Sequence, residues 1–133
     1  MIGHKPSLKA ILVCDSVLQE IGTAKKSIIG IFDQILAGSF PCSHPQMGIY
    51  FSVIDAEGSY FFRMESVRLS TNEIIAKGEI GPILVKNRFQ IVDGAIMLQG
   101  LTFPAPGKYE FRLYANDAFL DSKELTLRQA GQL

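Results

Sequence analysis

Apolar and polar side chains alternate most strictly near the C-terminus. From Lys108 to Tyr114, Tyr109, Phe111 and Leu113 point one way and Lys108, Glu110, Arg112 and Tyr114 the other, the period-two pattern of a strand with one buried face. Pro104, Pro106 and Gly107 open the stretch. Asn116-Asp117 supplies a turn into a second alternating run, in which Leu125 and Leu127 oppose Glu124, Thr126 and Arg128. The two runs predict an antiparallel hairpin. Because an isolated hairpin is marginal in water, this pair requires a larger sheet to pack on.

A second pair of runs, Met47 to Ile54 and Ser59 to Leu69, flanks Asp55-Ala-Glu-Gly58, a turn sequence with an acid first and a glycine last. With a loop of even length the spacing sets Val53 opposite Tyr60, Phe51 opposite Phe62 and Ile49 opposite Met64 on the core side. The other side then carries Ser52 against Phe61 and Tyr50 against Arg63. Tyr50, Phe61 and Arg63 form a candidate contact surface, since aromatic residues and arginine are enriched at interaction hot spots. After Glu65 the apolar frame moves to Val67 and Leu69, which predicts either a β-bulge near Glu65 and Ser66 or the end of the strand there.

The remaining segments are shorter or less regular. Lys9 to Asp15 predicts a first strand, and Ser16 to Lys26 a loop or an extension of it. Ser27 to Leu36 is apolar on both faces, as expected of a central strand, with Gly30 marking a bend. Phe40 to Pro45 reads as a loop whose path two prolines set. Ser70 to Glu73 is a turn and Ile74 to Lys77 a short strand. Gly81-Pro82 interrupts the following stretch, which suits an edge strand or irregular connection. Phe89 to Val92, a turn at Asp93-Gly94, and Ile96, Leu98 and Leu101 add strand material. No run has long helical periodicity, and there is no internal repeat or linker. Roughly eight strands at this spacing predict one all-β domain over residues 1–133: an antiparallel β-sandwich with immunoglobulin-like or jelly-roll connections, a closed β-barrel being the alternative.

Composition narrows the function classes. At 133 residues the chain can bury roughly two thirds of its unfolded surface and needs no metal or disulfide to fold. Thirteen basic and thirteen acidic residues cancel, so no overall field attracts nucleic acid or an anionic membrane, and no apolar run approaches a membrane span. The apolar run Ala10 to Cys14 is too short for a secretory signal. Two cysteines make no disulfide framework, and the cytoplasm is the expected compartment.

Three groups carry side chains capable of chemistry. Gly22-Thr-Ala-Lys-Lys-Ser27 has Lys25 and Ile21 where a phosphate-binding loop needs glycine, so its lysines read as solvated turn residues. Asp33 shares a strand face with Ile29, Ile31 and Ile35; a carboxyl with a raised pKa is one reading, and backbone N–H bonding at a bulge or strand end is favoured. Cys42 and His44 lie two apart, but a metal needs three or four ligands and a thiol nucleophile needs a positioned base and an oxyanion hole. No catalytic residue, cofactor or metal is assigned.

The runs Leu12-Val-Cys-Asp15, Ser27-Ile-Ile-Gly-Ile-Phe-Asp-Gln-Ile35, Phe40-Pro41, His44-Pro45 and Phe103-Pro-x-Pro-Gly-x-Tyr-x-Phe-x-Leu113 together resemble a family of small uncharacterised bacterial domains. The resemblance spans nearly the whole chain and implies a bacterial origin and a β-sandwich, without an activity or site residue. The expected function is a non-catalytic structural or protein-interaction module, with a protein partner or a second copy bound through Tyr50, Phe61 and Arg63 or through a sheet edge. A carbohydrate-type ligand-binding module is the alternative, and a hydrolase centred on Asp33 or on Cys42 and His44 the remote one.

Overall fold

The structure, a computed structural model, describes residues 4–131. Its nine strands are β1 (Ser7–Gln19), β2 (Lys26–Ile31), β3 (Gln34–Ala37), β4 (Cys42–Ile54), β5 (Gly58–Arg68), β6 (Glu73–Val85), β7 (Val92–Phe103), β8 (Gly107–Ala115) and β9 (Ala118–Gln129). They form two sheets, β2-β1-β4-β7 and β3-β9-β8-β5-β6. All pairs are antiparallel except β3 with β9, which run parallel. The result is the expected β-sandwich rather than a closed barrel. Its β9-β8-β5 order, with β6 outside β5, follows the connectivity of immunoglobulin-like domains. Tyr109 adds a second mark of that class: near the start of β8, its hydroxyl donates to the carbonyl of Ala105 at 2.7 Å and accepts from the same residue's N–H at 3.3 Å, a tyrosine corner.

The alternating positions become the core. Met47, Ile49, Phe51 and Val53 of β4 face Tyr60, Phe62 and Met64 of β5, and Tyr109, Phe111, Leu113, Leu125 and Leu127 complete the second sheet's inner side. The C-terminal hairpin forms as the alternation predicts. Asn116 and Asp117 have φ of 46° and 69°, which two-residue hairpin turns of type I′ require. The bulge expected after Glu65 is also present, as a shift in the β5–β6 register between Ser66 and Val67.

The second predicted hairpin does not form. β4 pairs with β1 and β7, whereas β5 pairs with β6 and β8, so Asp55 to Glu57 carry the chain from one sheet to the other. Asp55 takes φ 59° and Ala56 is fully buried at this corner. Phe51 and Phe62 do meet, with ring centroids 4.8 Å apart, but across the core and not across a ladder. Alternation reports which side chains face the interior. Two strands facing one interior from opposite sheets therefore give the same pattern as a hairpin.

Other expectations are corrected for related reasons. Ser27 to Leu36 is not a central strand; it divides into β2 and β3, edge strands of different sheets, and Ile29, Ile31 and Leu36 are largely exposed. Gly30 has φ 69° inside β2, where a Cβ would lie 2.3 Å from an Asp15 carboxylate oxygen, so the expected bend is real and leaves no room for a side chain. Cys42 to Pro45 begin β4 and do not form a loop. Asp93-Gly94 is no turn either: both lie in β7 opposite Ser52 and Phe51, where a Cβ on Gly94 would come within 3.0 Å of the Phe51 ring. Gly81-Pro82 sits within β6, an edge strand whose register shifts nearby, where a missing N–H is tolerated.

Candidate functional site

Of the three residues expected to share a surface, the structure unites two. Phe61 and Arg63 lie on the outer face of the five-stranded sheet, their strand alternating with the buried Tyr60, Phe62 and Met64. Tyr50 projects from the other sheet, on the opposite side of the sandwich. This correction follows directly from the absent β4–β5 pairing.

Around Phe61 and Arg63 the second sheet builds a shallow groove of about 390 Å³, lined by Phe61, Arg63, Glu79, Asn116 and Asp117. The groove rests on the type I′ turn. Asn116 accepts a bond from the Phe61 N–H at 2.9 Å through its side-chain oxygen and donates to the Ser59 carbonyl at 2.9 Å, fixing the turn against β5. Asp117, next in the turn, then sets its carboxylate against the Arg63 guanidinium. The same guanidinium lies 4.3 Å above the Tyr114 ring, and its Nε is 3.3 Å from Glu65 as an ion pair without hydrogen-bond alignment. Tyr114 in turn packs edge-on against Phe119 at 5.6 Å.

Arg63 is thus held by a carboxylate on each side and an aromatic ring beneath. Burial disfavours its charge, but the bond to Asp117 and the charge of Glu65 outweigh this and hold its pKa above the usual value, so it is a permanent cation. Phe61 has no such cover. It is 45% exposed beside the fixed guanidinium, an apolar side chain adjoining an oriented donor. Neither Glu79, Asn116, Asp117 nor Tyr114 stands out as a site residue in the sequence. Asn116-Asp117 was legible as a turn, and the positive φ demanded by a type I′ turn is the signal that would have aimed Asp117 back at β5.

Tyr50 belongs to a different arrangement. Its hydroxyl donates to Asp93 Oδ2 at 2.9 Å, and Lys26 Nζ lies 2.5 Å from Asp93 Oδ1. Burial first, and then the neighbouring Asp93 carboxylate, raise the phenol's pKa and keep it neutral.

Asp33 is exposed at the crossover between β2 and β3, not set among aliphatic side chains; its backbone carbonyl accepts from the Thr126 N–H at 3.0 Å. His44 stacks obliquely on Phe32 at 5.5 Å and lies 3.7 Å from Asp15. Cys42 pairs with Phe103 in the β4–β7 ladder. Cys14 and Cys42 are both free thiols, and Cys14 is buried with its pKa raised by desolvation. Among the described residues, no three His, Cys, Asp or Glu side chains are grouped to hold a metal ion.

Fold and surface define an immunoglobulin-like β-sandwich whose outer five-stranded face carries an aromatic–arginine groove. The chain belongs to DUF6941, a family of unknown function whose model matches residues 9–128. No curated protein matches it. Among solved structures it is similar to an immunoglobulin-like protein from Pseudomonas aeruginosa, with 13% identity over 94% of this chain and 98% of that one and a TM-score of 0.42.

Proposed function

We propose that the chain is a non-catalytic interaction module that takes a protein partner on the Phe61–Arg63 face. The observation that carries this reading is an exposed aromatic ring beside an arginine already immobilised by Asp117 and Tyr114. Ordering a long side chain on binding costs about 0.5–1.5 kcal/mol, and here that ordering is complete before the partner arrives. The charged residues lining the groove are two carboxylates, Glu79 and Asp117, and the Arg63 cation, so the groove favours a partner segment that presents an apolar side chain next to a lysine or arginine.

Affinity capture with the native chain, Phe61→Asp and Leu36→Asp tests the reading. Leu36 is exposed on β3, away from the groove, and serves as a surface control. A partner retained by the native chain and by Leu36→Asp but lost with Phe61→Asp is expected, and the recovered partner should bind the purified chain less tightly once Phe61 is charged. Capture of the same proteins by all three chains, or purified binding unaffected by Phe61→Asp, overturns it.

A further inference from the structure

The groove suits an apolar side chain beside a cation, and the chain carries such a segment itself. Lys86-Asn-Arg-Phe-Gln-Ile91 joins β6 to β7. Its Phe89 is 89% exposed, and Ile91 is exposed as well. This loop is nevertheless held in place. The Asn87 side-chain oxygen accepts from the Phe89 N–H at 2.9 Å, and the Asn87 carbonyl accepts from the Gln90 N–H at 2.9 Å. Arg88 Nε donates to Asp55 Oδ1, also at 2.9 Å, and ties the loop to the corner between β4 and β5. A tight turn and an ion pair thus hold an aromatic ring out of the fold, and a ring ordered beforehand costs less to bind.

Loop and groove lie at the same end of the sandwich. Gly58 pairs with Val85 at the head of the β5–β6 ladder; the groove includes Phe61, three residues in, and the loop starts directly after Val85. Leu84 joins the two. It is 63% exposed and stands opposite Ser59, on the outer face with Phe61 and at a diagonal spacing of about 7–8 Å from it. One surface therefore runs from the carboxylates of the groove, across Phe61 and Leu84, to Phe89 and Lys86. At its two ends Glu79 and Lys86 have no ion-pair partner among the described residues.

We infer that the occupant of the groove is the β6–β7 loop of a second copy, an inference that rests on the reading of the groove as a protein-binding face. Phe89 of one copy lies against Phe61 of the other and Lys86 meets Glu79, while a two-fold axis near Leu84 repeats both contacts in reverse. A two-fold interface must be complementary to itself, each residue receiving what its counterpart presents. This surface meets that condition: it is acidic at one end, apolar in the middle and basic at the other, and a half-turn sets each end on its opposite. The loop does not fill the groove of its own chain, as the exposure of Phe89 shows. A second copy covers the exposed aromatic of the groove and that of the loop with one contact, made twice.

Sedimentation equilibrium over a range of concentrations tests it, on the native chain and on Phe89→Asp, Glu79→Lys and Lys86→Glu, with circular dichroism to confirm each fold. The native chain is expected to dimerise. Phe89→Asp should weaken the dimer roughly thirtyfold or more, as loss of an aromatic anchor does. Glu79→Lys and Lys86→Glu should each associate less than the native chain, because either one opposes like charges in both contacts. Mixed in equal amounts they should dimerise again, since every contact between them joins opposite charges. A native chain that stays monomeric, variants that dimerise as well as the native chain, or a mixture no better than its components overturns the inference. None of these results decides the reading of the groove, which falls only with an absent effect of Phe61→Asp on capture and binding. A dimer lost with Phe61→Asp but kept with Phe89→Asp would seat another part of the second copy in the groove, overturning this inference while supporting that reading.

Discussion

At the scale of single residues, the inward positions were legible because burial follows alternation. Tyr109, Phe111 and Leu113 are each at most 1% exposed, as their spacing requires. Ser66 is the polar exception. It is fully buried opposite Phe111, and its Oγ has no hydrogen-bond partner among the described residues. Alternation itself puts it there, two residues beyond Met64 on the inward face, and the bulge comes only after it, between Ser66 and Val67. A buried hydroxyl without a partner retains its desolvation cost, whereas an alanine methyl does not. Ser66→Ala is therefore expected to leave stability unchanged or raise it by about 1 kcal/mol. A core truncation such as Phe111→Ala should lower it by about 3–5 kcal/mol. Urea denaturation of the two variants checks this, and a loss above about 1 kcal/mol for Ser66→Ala would show that the hydroxyl is bonded.

At the scale of elements, strand existence was legible and strand partnership was not. The runs around Phe51 and Phe62 were both recognised as strands, yet a two-sided core let them face each other from different sheets. The same blindness split the candidate surface and sent Tyr50 to the far side. There it takes part in a contact no local pattern announces. By register, Lys26 lies opposite Gln19, five residues beyond Cys14, while Asp93 lies opposite Ser52, four residues beyond Gly48 the other way. In a flat sheet these levels would be roughly 30 Å apart. Their 2.5 Å contact means that the β1–β2 hairpin curls over the outer face of its own sheet, with Gly30 supplying the bend and Lys26 the tie. Lys26→Met keeps the aliphatic length and removes the charge. A hydrogen-bonded pair involving charged groups contributes about 1.5 kcal/mol, so local opening of the hairpin should become about tenfold more frequent. Faster amide exchange at Leu18 and Ile28, with Phe111 unchanged, is the expected result. Equal exchange in both chains would mean that the hairpin holds its curl without the tie.

At the scale of the whole molecule, the connectivity that escaped the sequence also governs how the chain folds. Only the β1–β2, β5–β6 and β8–β9 pairs are local hairpins; β1–β4, β4–β7, β5–β8 and β3–β9 join distant segments, and Gln34 pairs with Thr126 almost at the other end of the chain. Closing long loops before any pairing repays the entropy makes such domains fold in milliseconds to seconds. The order can be argued from the turns. Asn116-Asp117 preorganises β8 against β9, and Asn116 also ties this hairpin to β5 through Phe61 and Ser59, so β5-β8-β9 is the economical nucleus. β3 has four residues and can dock only on a completed β9. Asn116→Ala is therefore expected to slow folding, whereas Ile35→Ala, which trims a half-buried side chain packed on the core, should leave folding nearly unchanged and speed unfolding. For a loss of about 2 kcal/mol at Ile35, unfolding should accelerate roughly thirtyfold. Stopped-flow chevrons of the two variants decide the order. A folding rate that falls with Ile35→Ala as much as with Asn116→Ala would place β3 in the nucleus and require the two ends of the chain to meet first.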